Sequence, residues 1–287
     1  MTDTVVDSRR AALGLRYGAT EAENPVTSDN PVQSENPAWN EVLATQLAHR
    51  SVRKFLSDKL SDDQLRAIVA AASSAASSSN LQLWSVVAVT DRDRLGRIAS
   101  LAGDQDAVRN APLLLVWVAD LARAGRIAEQ HDRDLVNAGF VESALLGVVD
   151  ATLAAQNAAL AAESLGLGTV YIGAIRNHPT RLAEELNLPA HSFAVVGLVV
   201  GHPDPAESAE VKPRLGVDVV LHREQYDLAA QEAGIAEYEA RISAFYREQG
   251  LPDSWTDRVV GRFATRGALG VREGLREALE RRGFDLN

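Results

Sequence analysis

The sequence predicts a β-sheet sandwiched between helices, a fold of the α/β or α+β class. Three observations predict it. Strand-like and helix-like segments alternate from about residue 61 to residue 201. Leu113 to Ala119 is an unbroken apolar run of strand length, as expected of a strand covered on both faces. From Val141 to Leu165 the chain is apolar almost all round, which describes a helix buried on every side, in a large core or against another subunit.

The elements follow in order. Residues 23 to 40 read ENPVTS-DNPVQS-ENPAWN, three hexads that each carry an acidic residue and then Asn-Pro. Proline at that period excludes a helix and biases each preceding asparagine toward extended or turn conformations. Residues 1–42 are therefore expected to be an extended or partly disordered arm, lying along the body or along a partner subunit. The body is expected to span residues 43–287. A short helix fits Trp39 to Ala48. Ser61-Asp62-Asp63-Gln64 has the form of a capping box, with two acids in the first turn, and opens a helix to about Ala76. The serine-rich stretch Ser77 to Asn80 leads into a strand, Trp84 to Thr90. A helix (91–101) and the apolar strand follow, then a break around His131 to Asp134 and the long helix. Thr169 to Ile175 reads as a buried strand, Thr180 to Leu186 as a helix and Ser192 to Gly201 as a strand. Beyond Pro213 the chain turns polar and helical over 227–248, 254–265 and 271–282, a C-terminal excursion from about residue 227.

Composition limits the function. The chain has 287 residues, 46% apolar and 24% charged, with a net charge of −10 and a pI near 5.1. That acidity argues against nucleic acid or an anionic membrane as the main partner. No apolar run approaches the roughly 20 residues of a membrane span, and the first thirty residues lack a signal-peptide core. Without cysteine there is no disulfide, thiolate metal site or cysteine nucleophile. A cytoplasmic location is expected. Lysine occurs only at Lys54, Lys59 and Lys212, so almost all positive charge is arginine.

The common catalytic signatures do not occur. There is no G-x-x-x-x-G-K-[ST], no G-x-S-x-G, and no paired histidines at metal-ligand spacing. Gly166-x-Gly168 precedes a strand, where a dinucleotide fingerprint would open a helix. Three other segments carry chemistry. His49-Arg50-Ser51-Val52-Arg53 gathers two arginines, which would share a face on a helical turn, with a hydroxyl and backbone N–H groups beside them. That inventory suits a phosphate of charge about −1.5 to −2. Val211-Lys212-Pro213-Arg214 sets two cations around a stiffening proline. Tyr171-Ile172-Gly173-Ala174-Ile175-Arg176-Asn177 reads as a strand end at a site rim, where Gly173 lets a planar ligand approach the backbone. Each segment alone is also consistent with an ordinary surface.

Taken in order, HRSVR, SSSNLQLW, LAGDQ, LLGVVDATLAAQNAALAAESLGLGTVYIGAIRN and VKPRL resemble the oxygen-insensitive nitroreductase and flavin reductase family, in the nitroreductase A and flavin reductase P branch. The resemblance covers about Leu43 to Leu221 and, more loosely, the C-terminal helices. It implies an α+β sandwich with a mainly antiparallel sheet, forming an intertwined homodimer that holds FMN at the subunit interface. His49, Arg50, Ser51 and Arg53 would hold the FMN phosphate, with Lys212 and Arg214 closing over it. Ser77, Ser78, Ser79, Asn80 and Gln105 match flavin-contacting positions. Tyr171, Ile172, Gly173 and Ala174 would line the ring, with an N–H of Gly173 or Ala174 facing flavin N5, and Ala174 stands where the family often has a second glycine. Arg176 would reach the substrate side, so Gly173, Ala174 and Arg176 are the expected catalytic positions.

The resemblance further implies ping-pong hydride transfer from NADPH, or NADH, to nitroaromatics, quinones, azo compounds or free flavin. Residues 245–255 lack the adjacent arginines that the branch uses toward NADPH; Arg247, Arg258 and Arg262 are the cations available there. Two other functions stay open: a dedicated flavin reductase supplying a monooxygenase, and a non-catalytic flavin-binding protein. The Asn-Pro arm could also serve as an interaction segment.

Overall fold

The computed structural model describes residues 2–18, 39–251 and 254–287. Of the arm expected over residues 1–42, residues 1 and 19–38, which hold most of the Asn-Pro hexads, lie outside these. In chain order the helices begin with α1 (Thr2–Tyr17), α2 (Glu41–Ala48) and α3 (Asp62–Ser73). Strand β1 (Trp84–Val89), helices α4 (Arg92–Leu101) and α5 (Asp106–Arg109), and strand β2 (Leu113–Asp120) follow. Next come α6 (Ala122–Gln130), α7 (Val141–Ser164), β3 (Gly168–Ile172), α8 (Pro179–Glu185) and β4 (Ser192–Gly201). The remainder holds α9 (Val217–Val220), α10 (Glu232–Glu248), α11 (Trp255–Phe263) and α12 (Leu275–Glu280).

The chain divides into two compact units, Met1–Arg50 with Glu210–Ala268, and Ser51–Ala209 with Leu269–Asn287. The sequence reading placed its division at residue 42.

The second unit carries the sheet. Its strand order is β1-β2-β4-β3 and every strand pair is antiparallel, which makes the fold α+β. Strand β2 is apolar throughout because both of its faces are covered. Leu113, Leu115 and Trp117 join Ile68 and Ala72 of α3 and the alanines of α7 in one core layer. Leu114, Val116 and Val118 join Leu95 and Ile98 of α4 and Leu182 of α8 in the other. Each buried aliphatic side chain contributes about 1.5–3 kcal/mol of transfer free energy.

Helix α7 lies on the sheet by its small residues. Ala144, Gly147, Ala151, Ala154, Ala155, Ala158, Ala159 and Ala162 are buried. Val141, Leu145, Val149 and Leu153, four residues apart along one face, remain exposed. By length and composition α7 could cross a membrane, contrary to the expectation of no such run. In this chain it is a core helix on one side and bare on the other.

Other local expectations meet the structure as follows. Ser61 caps α3 through the reciprocal bonds of a capping box, at 3.1 Å to the Gln64 N–H and 2.9 Å from the Ser61 N–H to Gln64 Oε1. The strand expected over Thr169 to Ile175 stops at Ile172, and Gly173–Arg176 form a 3-10 turn instead. Residues 2–17, assigned to the arm, are helical.

The first unit is built on an aromatic core. Tyr238, Ile242 and Tyr246 of α10 are buried with Leu215, Phe245 and Trp255 packed around them. Tyr238 meets the Trp255 ring edge-on at 5.1 Å between centroids.

Candidate active site

In the first unit, two basic segments far apart in sequence are held together. Helix α2 stops at Ala48, with His49 as its C-cap. Residues 49 and 50 are therefore not helical, and the shared helical face expected for Arg50 and Arg53 does not form. Arg16, in the last turn of α1 and 4% exposed, sends its guanidinium into the carbonyls of both segments. Its Nη2 donates to Leu47 O at 2.8 Å and to His49 O at 2.5 Å, and its Nη1 donates to Lys212 O at 2.8 Å. The Arg214 N–H donates back to the Arg16 carbonyl at 2.9 Å. The Lys212 ammonium lies over the Tyr246 ring, 5.6 Å from its centroid, while Arg214 donates to the carbonyls of Lys212 and Pro213.

In the second unit, the continuation of the first segment lies on β3. Ser51 forms a parallel bridge with Thr169, and the Val52 N–H donates to Thr169 O at 2.9 Å. This approach requires glycine at 168. A Cβ there would stand 2.9 Å from the Cβ and both γ-carbons of Val52, closer than real Cβ contacts come. The N–H groups of Arg53 and Lys54 donate to the Glu207 carboxylate at 3.0 and 3.1 Å. Of the backbone N–H groups expected beside the arginines of residues 49–53, those of Val52 and Arg53 are thus bonded within the protein, as is that of Lys54.

The serine-rich segment is anchored by a residue that the sequence reading passed over. Asp150, 1% exposed in the middle of α7, accepts from Ser77 Oγ at 2.6 Å, from the Ser78 N–H at 3.2 Å and from the Leu83 N–H at 2.9 Å. Between these anchors Ser79, Asn80 and Gln82 adopt φ of 48°, 56° and 52°, a left-handed backbone disfavoured for residues with a side chain. Such strain persists only where neighbours fix it. The signal was present in the sequence: a lone carboxylate inside an alanine-rich buried helix has to be paired.

At the end of β3 the chain turns into the 3-10 turn Gly173–Arg176. The opening N–H groups of any helical turn have no partner within it. A Cβ at Gly173 would meet only Arg176 Nη2, at 3.8 Å, so no protein atom requires glycine there and the backbone face stays open. The Arg176 guanidinium, beside Gly173, donates to the Val195 carbonyl. Ala174 packs against the α4-side core, so its methyl is turned to protein. Tyr171 donates through its hydroxyl to Gln156 Oε1 at 3.4 Å, and burial pushes its phenol above the ordinary range. Ile172 is buried. Gln105, half-buried after the left-handed residues Gly103 and Asp104, donates through Nε2 to Ala102 O at 3.1 Å.

These residues fit FMN on two structural grounds. The His49–Arg50 and Lys212–Arg214 pairs supply charged donors for a phosphate from one unit. Gly173 leaves an unfilled main-chain face, bordered by a guanidinium, for a planar ring.

A model described as the nitroreductase family matches residues 47–202, and one described as its C-terminal domain matches residues 212–287. The NADPH-flavin oxidoreductase of Vibrio harveyi is 40% identical over 228 residues, covering 78% of this chain and 92% of its own. An FMN reductase (NAD(P)H) of Bacillus subtilis is 38% identical over 253 residues, covering 86% and 99%. The solved structure of B. megaterium NfrA2 superposes with a TM-score of 0.81 at 37% identity, covering 87% of this chain and all of that one. The antiparallel sheet, the main-chain face left open at Gly173 and these matches lead to one conclusion: the chain belongs to the nitroreductase family.

Proposed function

We propose that this chain is an FMN-dependent NAD(P)H oxidoreductase that delivers two electrons, as hydride, to nitroaromatics, quinones, azo compounds or free flavin. The observation that carries the reading is the joining of the His49–Arg50 and Lys212–Arg214 segments within one unit. Bound FMN supplies the hydride chemistry that connects nicotinamide and acceptor. The protein's residues bind and orient. His49, Arg50, Ser51, Arg53, Lys212 and Arg214 hold the phosphate. Ser77 to Asn80 and Gln105 contact the flavin, and Asp150 fixes the shape of the serine segment. The N–H of Gly173 or Ala174 faces the reacting edge, and Arg176 supplies positive charge beside it. Preorganised positive charge there favours an electron-rich ring.

The exposed ridge Val141, Leu145, Val149 and Leu153 supports burial of α7 against a second copy, and hence a homodimer. The acidic, cysteine-free composition supports a cytoplasmic place. The purified protein should be yellow and lose its absorbance near about 450 nm, the oxidised-flavin band, on addition of NADPH or NADH. Arg53→Ala with Lys212→Ala should yield apoprotein, and normal FMN content in that double variant would refute the phosphate site. Initial rates with the two nicotinamides rank them, and NADPH is the expected preference.

A further inference from the structure

The matches to the nitroreductase family begin at residue 47, so α1 lies outside them. Yet α1 supplies a buried cation to the segments assigned above to the FMN phosphate. A buried arginine is rare unless its donors are matched, because an unpaired guanidinium loses its hydration without return. Here the donors are matched to main-chain oxygens. Arg16 is 4% exposed, and its Nε, Nη1 and Nη2 all donate to carbonyls, of Leu47 (3.3 and 2.8 Å), His49 (2.5 Å) and Lys212 (2.8 Å). Its own carbonyl accepts from the Arg214 N–H at 2.9 Å.

The geometry has a specific sense. The planar guanidinium presents fixed, divergent donors, so the two limbs of one side chain set the distance between two pieces of backbone. One limb takes the end of α2, where His49 and Arg50 begin, and the other takes the carbonyl of Lys212. These four bonds go to main-chain oxygens, so none of them uses a side-chain atom of His49, Arg50, Lys212 or Arg214.

Local structure keeps Arg16 in place. It stands in the last turn of α1, where a cation opposes the helix dipole. Gly18 then ends the helix at φ +91°, its N–H donating to Gly14 O at 3.0 Å. A Cβ on Gly18 would stand 3.0 Å from Arg241 Cδ, so α1 closes tightly against α10 at that point.

We propose that Arg16 is a positioning residue for FMN: it fixes the backbone of residues 47–49 to that of residue 212 and so holds both phosphate-binding segments in register. The N-terminal helix, outside the residues the family models match, is then part of the cofactor site. This rests on the phosphate assignment made under the proposed function. A lysine at position 16 carries the charge but concentrates its donors at one point, so it holds one limb of the clamp and releases the other.

The experiment compares two flavins that differ only in the phosphate. Apoprotein of the full chain, of Arg16→Met and of Arg16→Lys is titrated with FMN and with riboflavin, read by flavin fluorescence. The native chain should prefer FMN strongly. Arg16→Met should raise the dissociation constant for FMN at least about tenfold, the loss of roughly one charge-assisted hydrogen bond. Riboflavin binding should stay within about twofold, and Arg16→Lys should fall between. A general structural role predicts that both flavins weaken together. That result overturns the proposal, as does unchanged FMN affinity in both variants. If Arg16→Met does not fold, the FMN-to-riboflavin ratio of Arg16→Lys decides in the same way. A native chain that binds the two flavins equally refutes the phosphate assignment itself, which is seen before any variant is made.

Discussion

Replacing Asp150 tests whether the serine segment is shaped by α7. The carboxylate receives three donors, two of them from Ser77 Oγ and from the N–H of Leu83, which is 8% exposed. The third, from Ser78, lies on an exposed residue where water can replace it. Asp150→Ala removes two charge-assisted bonds that water reaches poorly, at about 1.5–3 kcal/mol each, so a loss of about 3–6 kcal/mol is expected. Asp150→Asn keeps one acceptor oxygen for Leu83 but turns an NH₂ toward donors, and should cost about 1.5–3 kcal/mol. The left-handed residues Ser79, Asn80 and Gln82, each strained by about 1–3 kcal/mol, would then relax in part. Bonds such as Arg123 Nη1 to Gln82 O at 3.0 Å and the Gln82 N–H to Ser77 Oγ at 2.7 Å would still hold the segment. Two measurements follow: thermal unfolding of the apoprotein, with Tm lowered by roughly 3–12 °C in Asp150→Asn and about twice that in Asp150→Ala, and FMN titration, with Kd raised at least about tenfold. An Asp150→Asn protein that melts and binds FMN like the native chain would refute the reasoning.

Three further outcomes are expected. Gly168→Ala presses a methyl into Val52, and overpacking of about 1–3 kcal/mol should appear as a lower urea midpoint together with weaker FMN binding; an unchanged midpoint would show that the segment yields freely. Glu185 on α8 is held below the usual carboxylate range first by its hydrogen bond to Arg97 and then by Arg94, both on α4. Its contribution, up to about 1 kcal/mol, is therefore present above the ordinary carboxylate range and is lost as pH falls through the lowered value. Glu185→Gln should be less stable than the native chain at neutral pH, with the gap closing in acid, whereas a gap independent of pH would contradict the assignment. Leu145→Glu with Val149→Glu places charge on the bare ridge of α7 and should convert a dimer to monomer in sedimentation; a dimer that survives both would move the interface elsewhere.

What the sequence made legible was whatever rested on local chemistry or on burial of both faces. The capping box at Ser61 needs only four residues, and it appears as read. Strand β2 was legible because it has no exposed side to interrupt its apolar run. The 3-10 turn at Gly173 was misread as strand because its residues are as apolar as those of β3, and only the direction of the chain differs. Helix α6 was missed between charged residues, and its N-cap Leu121 makes no capping hydrogen bond. The two anchors were hidden for opposite reasons. Asp150 was submerged in an apolar pattern, and Arg16 was one arginine among many in a chain with three lysines. Neither partner set could be foreseen, because the acceptors of Arg16 lie up to 196 residues away.

The bridge between Ser51 and Thr169 has a second consequence. In the strand order β1-β2-β4-β3, β3 is the outermost strand on its side, and an outermost strand offers unpaired main-chain groups to any other extended chain. The segment bearing Ser51 and Arg53 covers part of that rim through the Val52 N–H on Thr169, and runs on to a bridge from Phe55 to Pro203, just past the end of β4. One stretch of chain thus carries two of the proposed phosphate-binding residues and also covers a strand edge. Changes that retune Ser51 or Arg53 for another anion act under that double constraint, since any that lift the segment from β3 also expose an adhesive edge.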